Sequence, residues 1–183
     1  MPNTGKSTFF NRVTGASARV GNWPGVTVDL LATRILLGGD MVELVDLPGI
    51  YDLHGFADDE RIVRHFLEHT RVDLVAVVLN AAQIDRQLTL ALQLRDMGVP
   101  CVLLLNMSDE ARQLGISIDT AAMARDLRLP VALMAAKHGH GHAEAMAVLT
   151  RALATAKAAD PEALRARLAA DDRIETDAAA VLK

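Results

Sequence analysis

The sequence is poor in residues that several common classes of protein require. Its one cysteine, Cys101, cannot form an internal disulfide or a cysteine-based zinc site, which favours a reducing compartment. One Trp, one Tyr and four Phe are too few for base-stacking platforms, and a net charge of −4 lacks the basic excess of nucleic-acid binders. The longest apolar runs, of which residues 74–79 are one, are far shorter than the ~20 residues that span a bilayer, and the start shows no signal-peptide pattern. We therefore expect a soluble, cytoplasmic protein that does not bind nucleic acid.

Apolar residues make up 51% of the 183 residues, which is enough for a sizeable core. Apolar runs typical of strands alternate with stretches that have helical apolar spacing. The expected strands are residues 26–37, 41–46, 73–80, 99–106 and 131–134, and the expected helices include 62–67, 88–97 and 123–127. This alternation predicts an α/β fold with a mostly parallel sheet and helices on both faces.

The pattern changes near residue 157. Residues 158–161 form a linker that ends in Pro161, a favourable residue in the first turn of a helix. The remainder of the chain is alanine-rich and helical in period. We therefore predict one domain over residues 1–157 and the start of a helical domain over residues 158–183.

A phosphate-binding loop is indicated by Gly5-Lys6-Ser7, which matches the end of the pattern G-x-x-x-x-G-K-[ST]. Successive backbone N–H groups at a helix start would hold the phosphates. Lys6 would neutralise the β- and γ-phosphates, and the Ser7 hydroxyl would bind Mg²⁺. The simpler alternative is a turn that opens an ordinary helix.

Two further segments have the form of nucleotide switches. The Asp46-Leu47-Pro48-Gly49 tetrapeptide ends a predicted strand, so that Asp46 could hold the Mg²⁺ shell and the Gly49 N–H could meet a γ-phosphate. Thr27, in Gly25-Val26-Thr27, is placed to close over Mg²⁺ and the γ-phosphate. Each segment alone could be an ordinary turn or strand start.

A base-binding motif follows the strand at 99–106. In Asn106-Met107-Ser108-Asp109, the Asp109 carboxylate could accept two hydrogen bonds from guanine, whereas adenine would leave it unpaired. Asn106 would tie the base to the phosphate loop, and N–H groups of Ala135-Ala136-Lys137 could meet guanine O6. The alternative is that Ser108 or Asp109 only caps a helix.

These motifs stand in order, each at a strand end, and together predict a guanine-nucleotide-binding domain. Lys6, Thr27 and Gly49 are the candidate catalytic residues, and Ser7, Thr27 and Asp46 are the candidate Mg²⁺ ligands. The residues expected to bind nucleotide are Asn3, Thr4, Gly5, Lys6, Ser7, Thr8, Gly25, Val26, Thr27, Asp46, Leu47, Pro48, Gly49, Asn106, Met107, Asp109, Ala135, Ala136 and Lys137.

With these motifs the chain resembles the N-terminal G domain of the FeoB family, the bacterial ferrous-iron transport proteins. The resemblance rests on residues 2–8 (PNTGKST), 20–28 (VGNWPGVTV), 46–51 (DLPGIY) and 106–111 (NMSDEA). The run around Trp23 is the most specific of these. The resemblance implies the three-layer P-loop NTPase fold of small GTPases, followed by a helical domain.

The resemblance also implies a function. It implies hydrolysis of GTP to GDP, with Mg²⁺, on the cytoplasmic side of a bacterial inner-membrane protein that imports Fe²⁺ and carries its membrane domain in the same polypeptide. It implies a K⁺ site at Asn3, capped by carbonyls of Gly21 and Trp23. A homo-oligomer is left open. Ile50 stands where many GTPases carry a water-positioning Gln, so we expect slow intrinsic turnover.

The chain departs from the family pattern at its start, where the leading phosphate-loop Gly and the first strand are missing. Because that strand would be central in the sheet, we expect two unpaired strand edges. Two alternative functions stay open: a nucleotide-sensing module that does not hydrolyse GTP, and a soluble ribosome-associated GTPase.

Several histidines, Cys101 and Trp23 are further residues whose roles the sequence suggests. The loop with His138, His140 and His142 is expected to be solvated and to lie beside the base pocket, and its metal binding stays open. His65 and His69 have the i, i+4 spacing of metal ligands, but no third ligand is visible in the sequence, so we expect them to be surface histidines. We expect Cys101 to be inert packing, and Trp23 to be a lid or a contact for the next domain because its loop offers little core to join.

Overall fold

A computed structural model of the chain describes residues 3–15, 17–23, 26 and 28–181. In this part of the chain, strands and helices alternate as the sequence predicts. The elements are α1 (Lys6–Thr14), β1 (Arg19–Gly21), β2 (Leu30–Leu37), β3 (Asp40–Asp46), α2 (Asp58–His69), β4 (Val75–Asn80), α3 (Ile84–Asp96), β5 (Cys101–Asn106), α4 (Ser108–Gln113), α5 (Thr120–Leu127), β6 (Val131–Leu133), α6 (His142–Thr155) and α7 (Pro161–Val181).

The strands form two sheets of three. Strands β4, β5 and β6 are parallel, whereas β1, β2 and β3 are antiparallel and include the predicted hairpin over Gly38 and Gly39. Strand β2 begins at Leu30 rather than at residue 26, since its partner β1 ends at Gly21, opposite Leu30. In the described part of the chain, the edge strands are β1 and β3 in one sheet and β4 and β6 in the other. The expectation that two of these edges flank a missing strand stays a prediction.

Strand β5 separates two hydrophobic cores, and all six of its residues are buried. Its residues alternate between the faces: Leu103 and Leu105 join a cluster with α2 and α3, whereas Val102 and Leu104 join one with α1 and α6. A parallel sheet with helices on both faces results. The predicted α/β layering is therefore confirmed, and it places the ends of β3, β5 and β6 where the motifs lie.

Helix α7 packs against α2. Its Leu164 and Leu168 are buried in the same cluster as Phe66 of α2, and a bidentate ion pair between Arg64 and Asp172 joins the two helices. The predicted helix is thus present, while its assignment to a second domain stays a prediction. No helix in the described residues combines the length and apolar character that crossing a membrane requires.

Candidate functional site: a phosphate loop joined to a base pocket

Helix α1 begins directly after Gly5, which has φ of +76° and so adopts a conformation that glycine tolerates best. The first N–H to find an acceptor one turn back is that of Phe9, which donates to the Gly5 carbonyl at 3.0 Å. The N–H groups of Lys6, Ser7 and Thr8 therefore point out of the helix start, and the first turn holds no acidic residue. This is the arrangement that attracts an anion.

Lys6 lies beside the end of β3. Its Nζ forms an ion pair with the carboxylate of Asp46, the last residue of that strand. The predicted phosphate loop and the segment Asp46–Gly49 are thus neighbours in space. Both partners are partly buried, with 28% of the Lys6 side chain and 14% of the Asp46 side chain exposed. Ser7 is exposed on the first turn of α1, where a ligand can reach its hydroxyl.

The segment after Asp46 places its residues differently. Leu47 packs against the core, and Pro48 and Gly49 are partly exposed. Ile50, which follows them, is 3% exposed and belongs to the core cluster around β5. Ile50 therefore serves packing, and the Gly49 backbone is the part of this segment that can face a phosphate.

Asn106 connects three of the predicted motifs. Its side chain is 3% exposed, its Nδ2 donates to the Thr4 carbonyl at 2.8 Å, and its Oδ1 accepts from the Ala136 N–H at 2.8 Å. The amide lies so close to Gly5 that a Cβ at this glycine would clash with it. The predicted link between the base motif and the phosphate loop is therefore a pair of buried hydrogen bonds.

The loop Ala135–Lys137 is held on both sides. The N–H of Ala135 donates to the His140 carbonyl at 2.9 Å, and the N–H of Ala136 donates to the Asn106 side chain. Among the described residues the Lys137 N–H has no such acceptor, so it is the one that could donate to a base. Arg12 of α1 donates to the carbonyls of Ala136 at 2.7 Å and Lys137 at 3.2 Å. This role of Arg12 could not be predicted from the sequence. Its partners are backbone carbonyls far away in the chain, and no sequence motif marks such a contact.

Asp109 lies in the first turn of α4, and His138 Nε2 is 3.3 Å from its Oδ2. About a third of the Asp109 side chain is exposed, so a ligand can reach the carboxylate. The alternative that Ser108 or Asp109 caps this helix is wrong: the cap position is Met107, which has a left-handed backbone conformation, and no side chain accepts a hydrogen bond from the helix start. Asp109 is thus free of a capping role.

Two residues of the site have unusual backbone angles. Asn3 has φ of +61° and Met107 has φ of +62°, and Arg128 is the other described non-glycine residue with positive φ. Such angles are uncommon outside glycine and concentrate at functional sites. Both residues lie close to Gly5: Asn3 precedes it in the predicted phosphate loop, and the Met107 side chain lies near it.

Two predicted nucleotide ligands, Gly25 and Thr27, lie outside the described residues. Val26 is described, and its N–H donates to Trp23 O at 3.1 Å. The expectation that the loop offers Trp23 little core to join is wrong. Its ring meets Phe66 of α2 edge-on at 5.7 Å and packs against the core. Gly21 lies against the Trp23 ring, where a Cβ would clash.

Two other sequence expectations concern Cys101 and the histidine loop. Cys101 is buried in β5, and burial raises the pKa of its thiol to about 11, as expected for a packing residue. The histidine loop is short: His138 and His140 belong to it, whereas His142 begins α6. His138 of this loop lies beside Asp109, the residue that the sequence predicts to bind the base. The position of the loop beside a base pocket stays a prediction.

Comparison with known proteins gives one consistent family. A family model described as Ferrous iron transport protein B matches residues 1–149. The Fe(2+) transporter FeoB of Synechocystis sp. is 54% identical over 153 residues, which are 84% of this chain and 25% of that protein. The cytosolic domain of L. pneumophila FeoB has 39% identity and a TM-score of 0.74, covering 81% of this chain and 65% of that one.

The cytosolic domain of T. maritima FeoB in its GMPPNP form has 34% identity and a TM-score of 0.75, and the match covers 82% of this chain and 60% of that one. The chain spans about a quarter of the length of its Synechocystis relative. The family match includes the phosphate loop, the base motif and the loop Ala135–Lys137. The chain therefore belongs to the Ferrous iron transport protein B family.

Proposed function

We propose that this chain binds GTP and GDP and hydrolyses GTP, as the regulatory domain of a ferrous-iron transporter. The observation that carries the proposal is the Asn106 side chain, which bridges Thr4 and Ala136. A buried amide that joins the phosphate loop to the base loop has a clear use if one ligand spans both. The T. maritima relative, described in a GMPPNP form, supports a guanine nucleotide as that ligand.

On the phosphate side, the free N–H groups of Lys6, Ser7 and Thr8 hold phosphate oxygens, and the Lys6 ammonium exchanges Asp46 for the β- and γ-phosphates. The Ser7 hydroxyl and the Asp46 carboxylate are hard oxygen donors close to that ammonium, which fits Mg²⁺. Mg²⁺ would neutralise charge on the phosphates. Thr27 and the N–H of Gly49 complete the expected contacts to the γ-phosphate.

On the base side, the Asp109 carboxylate accepts from N1–H and the 2-amino group of guanine. The Lys137 N–H is the proposed donor to O6, because the N–H groups of Ala135 and Ala136 are already used within the protein. Met107 lies between the two sides, near Gly5. Adenine has no donor pair for Asp109, so the pocket selects guanine.

A K⁺ ion is proposed beside Asn3, with carbonyls of Gly21 and Trp23 as caps. The Trp23 carbonyl already accepts from Val26 N–H, and a carbonyl oxygen has a second lone pair for a cation. Such an ion would stabilise charge that develops between the β- and γ-phosphates. Replacing K⁺ by Na⁺ is therefore expected to slow hydrolysis, and equal rates in both salts would discard this role.

The place of this domain in a larger protein is also a proposal. The relatives are Fe(2+) transporters, and the L. pneumophila and T. maritima structures are of cytosolic domains. We infer that this chain regulates Fe²⁺ passage from the cytoplasmic side of the bacterial inner membrane, through a membrane domain of the same polypeptide. The family match argues against the ribosome-associated alternative.

The deciding experiment exchanges the base specificity. Asp109→Asn replaces an acceptor by an amide that can donate to the 2-oxo group of xanthine, so preference should move from GDP to XDP. Competition of both nucleotides against a fluorescent GDP measures it. Asp126→Asn is the matched control, because Asp126 is exposed on α5 and belongs to none of the motifs. Unchanged preference in Asp109→Asn would remove Asp109 from the base pocket.

A second candidate, nucleotide sensing without hydrolysis, is favoured by Ile50, whose side chain is buried and cannot orient water. The two candidates differ in a single-turnover assay in K⁺. We expect slow conversion of bound GTP to GDP, with water oriented by backbone groups. Bound GTP that persists for days would favour the sensing module instead.

A further inference from the structure

Helix α2 carries a second group of chemically reactive side chains, away from the motifs. His65 and His69 are one helical turn apart, and the third ligand that the sequence did not reveal is Glu68, between them on the same face. One nitrogen of each histidine and one carboxylate oxygen of Glu68 all lie within 4.8 Å of one another. Small side-chain rotations bring three such atoms to the ~2.0–2.2 Å distances of metal ligands.

One hydrogen bond of His69 leaves its other ring nitrogen available to bind a metal ion. Its Nδ1 lies 2.9 Å from the carbonyl oxygen of His65. Because a carbonyl can only accept, this nitrogen must carry the proton, and the neutral ring then has its lone pair on Nε2. A backbone carbonyl bonded to the far nitrogen is the usual outer partner of a metal-binding histidine.

His65 contributes an unsatisfied group. Its Nε2 is buried from solvent and has no hydrogen-bond partner among the described residues, and its ring stacks on that of His69 with centroids 4.0 Å apart. A buried polar atom without a partner costs about 1–3 kcal/mol. An ion held at the nitrogen edges of the two stacked rings, together with Glu68, would satisfy this nitrogen.

Arg64 holds the carboxylate of Glu68. Its Nε donates to Glu68 Oε1 at 3.0 Å, and its two terminal nitrogens donate to Asp172 of α7 at 3.0 and 2.6 Å. The Glu68 side chain is 16% exposed and fixed in direction, while its second oxygen is left for an ion. Arg64 is thus a positioning residue that links the group to α7.

We propose that His65, Glu68 and His69 form a site for a divalent first-row transition-metal ion. Two imidazoles and one carboxylate are the donor set that suits Fe²⁺, Co²⁺, Ni²⁺ and Zn²⁺, whereas Mg²⁺ and Ca²⁺ prefer oxygen donors alone. In the described part of the chain, no second group of three such side chains comes within reach of one ion.

Titration of tag-free protein with Co²⁺ tests the site, read by visible absorption and by paramagnetic broadening of the histidine ring signals. We expect one equivalent to bind, with the His65 and His69 signals broadened first. His69→Ala and Glu68→Gln should each weaken binding at least about tenfold. His69 is exposed, so its loss leaves the core intact.

The matched control is the double variant His138→Ala/His140→Ala, which also removes histidines but from another loop. It should bind Co²⁺ like the wild type, and excess Mg²⁺ should not compete. Failure of Co²⁺ to bind, equal affinity in His69→Ala, or loss of binding only in the control would overturn the proposal. The titration contains no nucleotide, so such a failure would leave the proposed GTPase function untouched.

Discussion

The ammonium of Lys6 forms an ion pair with the carboxylate of Asp46, although 40 residues separate them in sequence. The pair joins the helix start that presents free N–H groups to the strand end that begins the segment Asp46–Gly49. Lys6 is therefore held at the place where phosphate charge would arrive. If Lys6 exchanges Asp46 for a phosphate, the Asp46 carboxylate becomes available to Mg²⁺. Lys6 would therefore couple phosphate binding to Mg²⁺ binding.

Lys6→Ala should abolish tight binding of GTP with Mg²⁺. Charge-assisted hydrogen bonds contribute about 1.5–3 kcal/mol each, so a loss of about 100-fold in affinity is expected. Isothermal titration with a non-hydrolysable GTP analogue measures it. Lys157→Ala is the matched control, because Lys157 is an exposed lysine beyond the last motif. If Lys6→Ala kept the wild-type affinity, Gly5-Lys6-Ser7 would be only a helix start.

The sequence predicts best where burial is uniform or where a motif fixes the chemistry. Strand β5 can be predicted from the sequence because all its residues are buried, and burial on both faces requires a nearly unbroken apolar run. The contact of Asn106 with the phosphate loop was readable because the motif requires it. Both follow from local composition and from chemistry that tolerates few residue types.

Contacts that depend on three-dimensional packing could not be predicted from the sequence. Strand β1 spans three residues, none of them buried, so it has no apolar pattern. Trp23 meets Phe66, which lies on a helix that follows much later in the chain. Arg12 donates hydrogen bonds to backbone carbonyls that are more than a hundred residues away. Because every residue has a backbone carbonyl, the residue types at those positions do not indicate the contact.

Asn106→Asp tests the bridge between the motifs. The substitution keeps the acceptor for Ala136 N–H but places a carboxylate oxygen against the Thr4 carbonyl, where a donor stood. We expect a loss of about 2–3 kcal/mol in the free energy of unfolding, together with loss of GDP binding. Urea denaturation and nucleotide titration give the two values.

The matched control for Asn106 is Asn80→Asp. Asn80 is also buried, at 7% exposure, but its side chain accepts only the Ala82 N–H, which a carboxylate accepts equally well. This variant reports the cost of a buried carboxylate alone. Equal destabilisation by both variants would show that the Thr4 bond contributes nothing of its own.

His138→Ala should strengthen guanine-nucleotide binding. His138 Nε2 lies 3.3 Å from the Asp109 carboxylate, so it competes with the base for the same oxygens. A partly exposed pair of this kind is worth up to about 1 kcal/mol, which corresponds to a gain of up to about fivefold in GDP affinity. His140→Ala is the control, since the described contacts place no His140 side chain on Asp109. Weaker GDP binding in His138→Ala would show that His138 supports the base.

Acid should loosen the contact between α2 and α7. The Arg64 guanidinium lowers the pKa of Asp172 below its usual value, against the opposing effect of burial, and His54 adds a smaller contribution. A carboxylate with a lowered pKa stabilises the fold above its unfolded pKa of ~3.9, and this is lost as the pH falls through the folded pKa. Amide hydrogen exchange of α7, followed between about pH 6 and pH 2.5, should therefore accelerate at the acidic end.

Asp172→Asn separates this effect from general acid unfolding. Asp52 also has a lowered pKa, because hydrogen bonds from His54 N–H and Gln93 outweigh its burial, and its acid response remains in the variant. The variant should exchange faster in α7 at neutral pH and lose the additional acid step. Because the Asp172 side chain is 42% exposed, solvent screens the pair and the difference should stay below about 1 kcal/mol. Identical pH profiles for the two proteins would show that the ion pair does not hold α7 on α2.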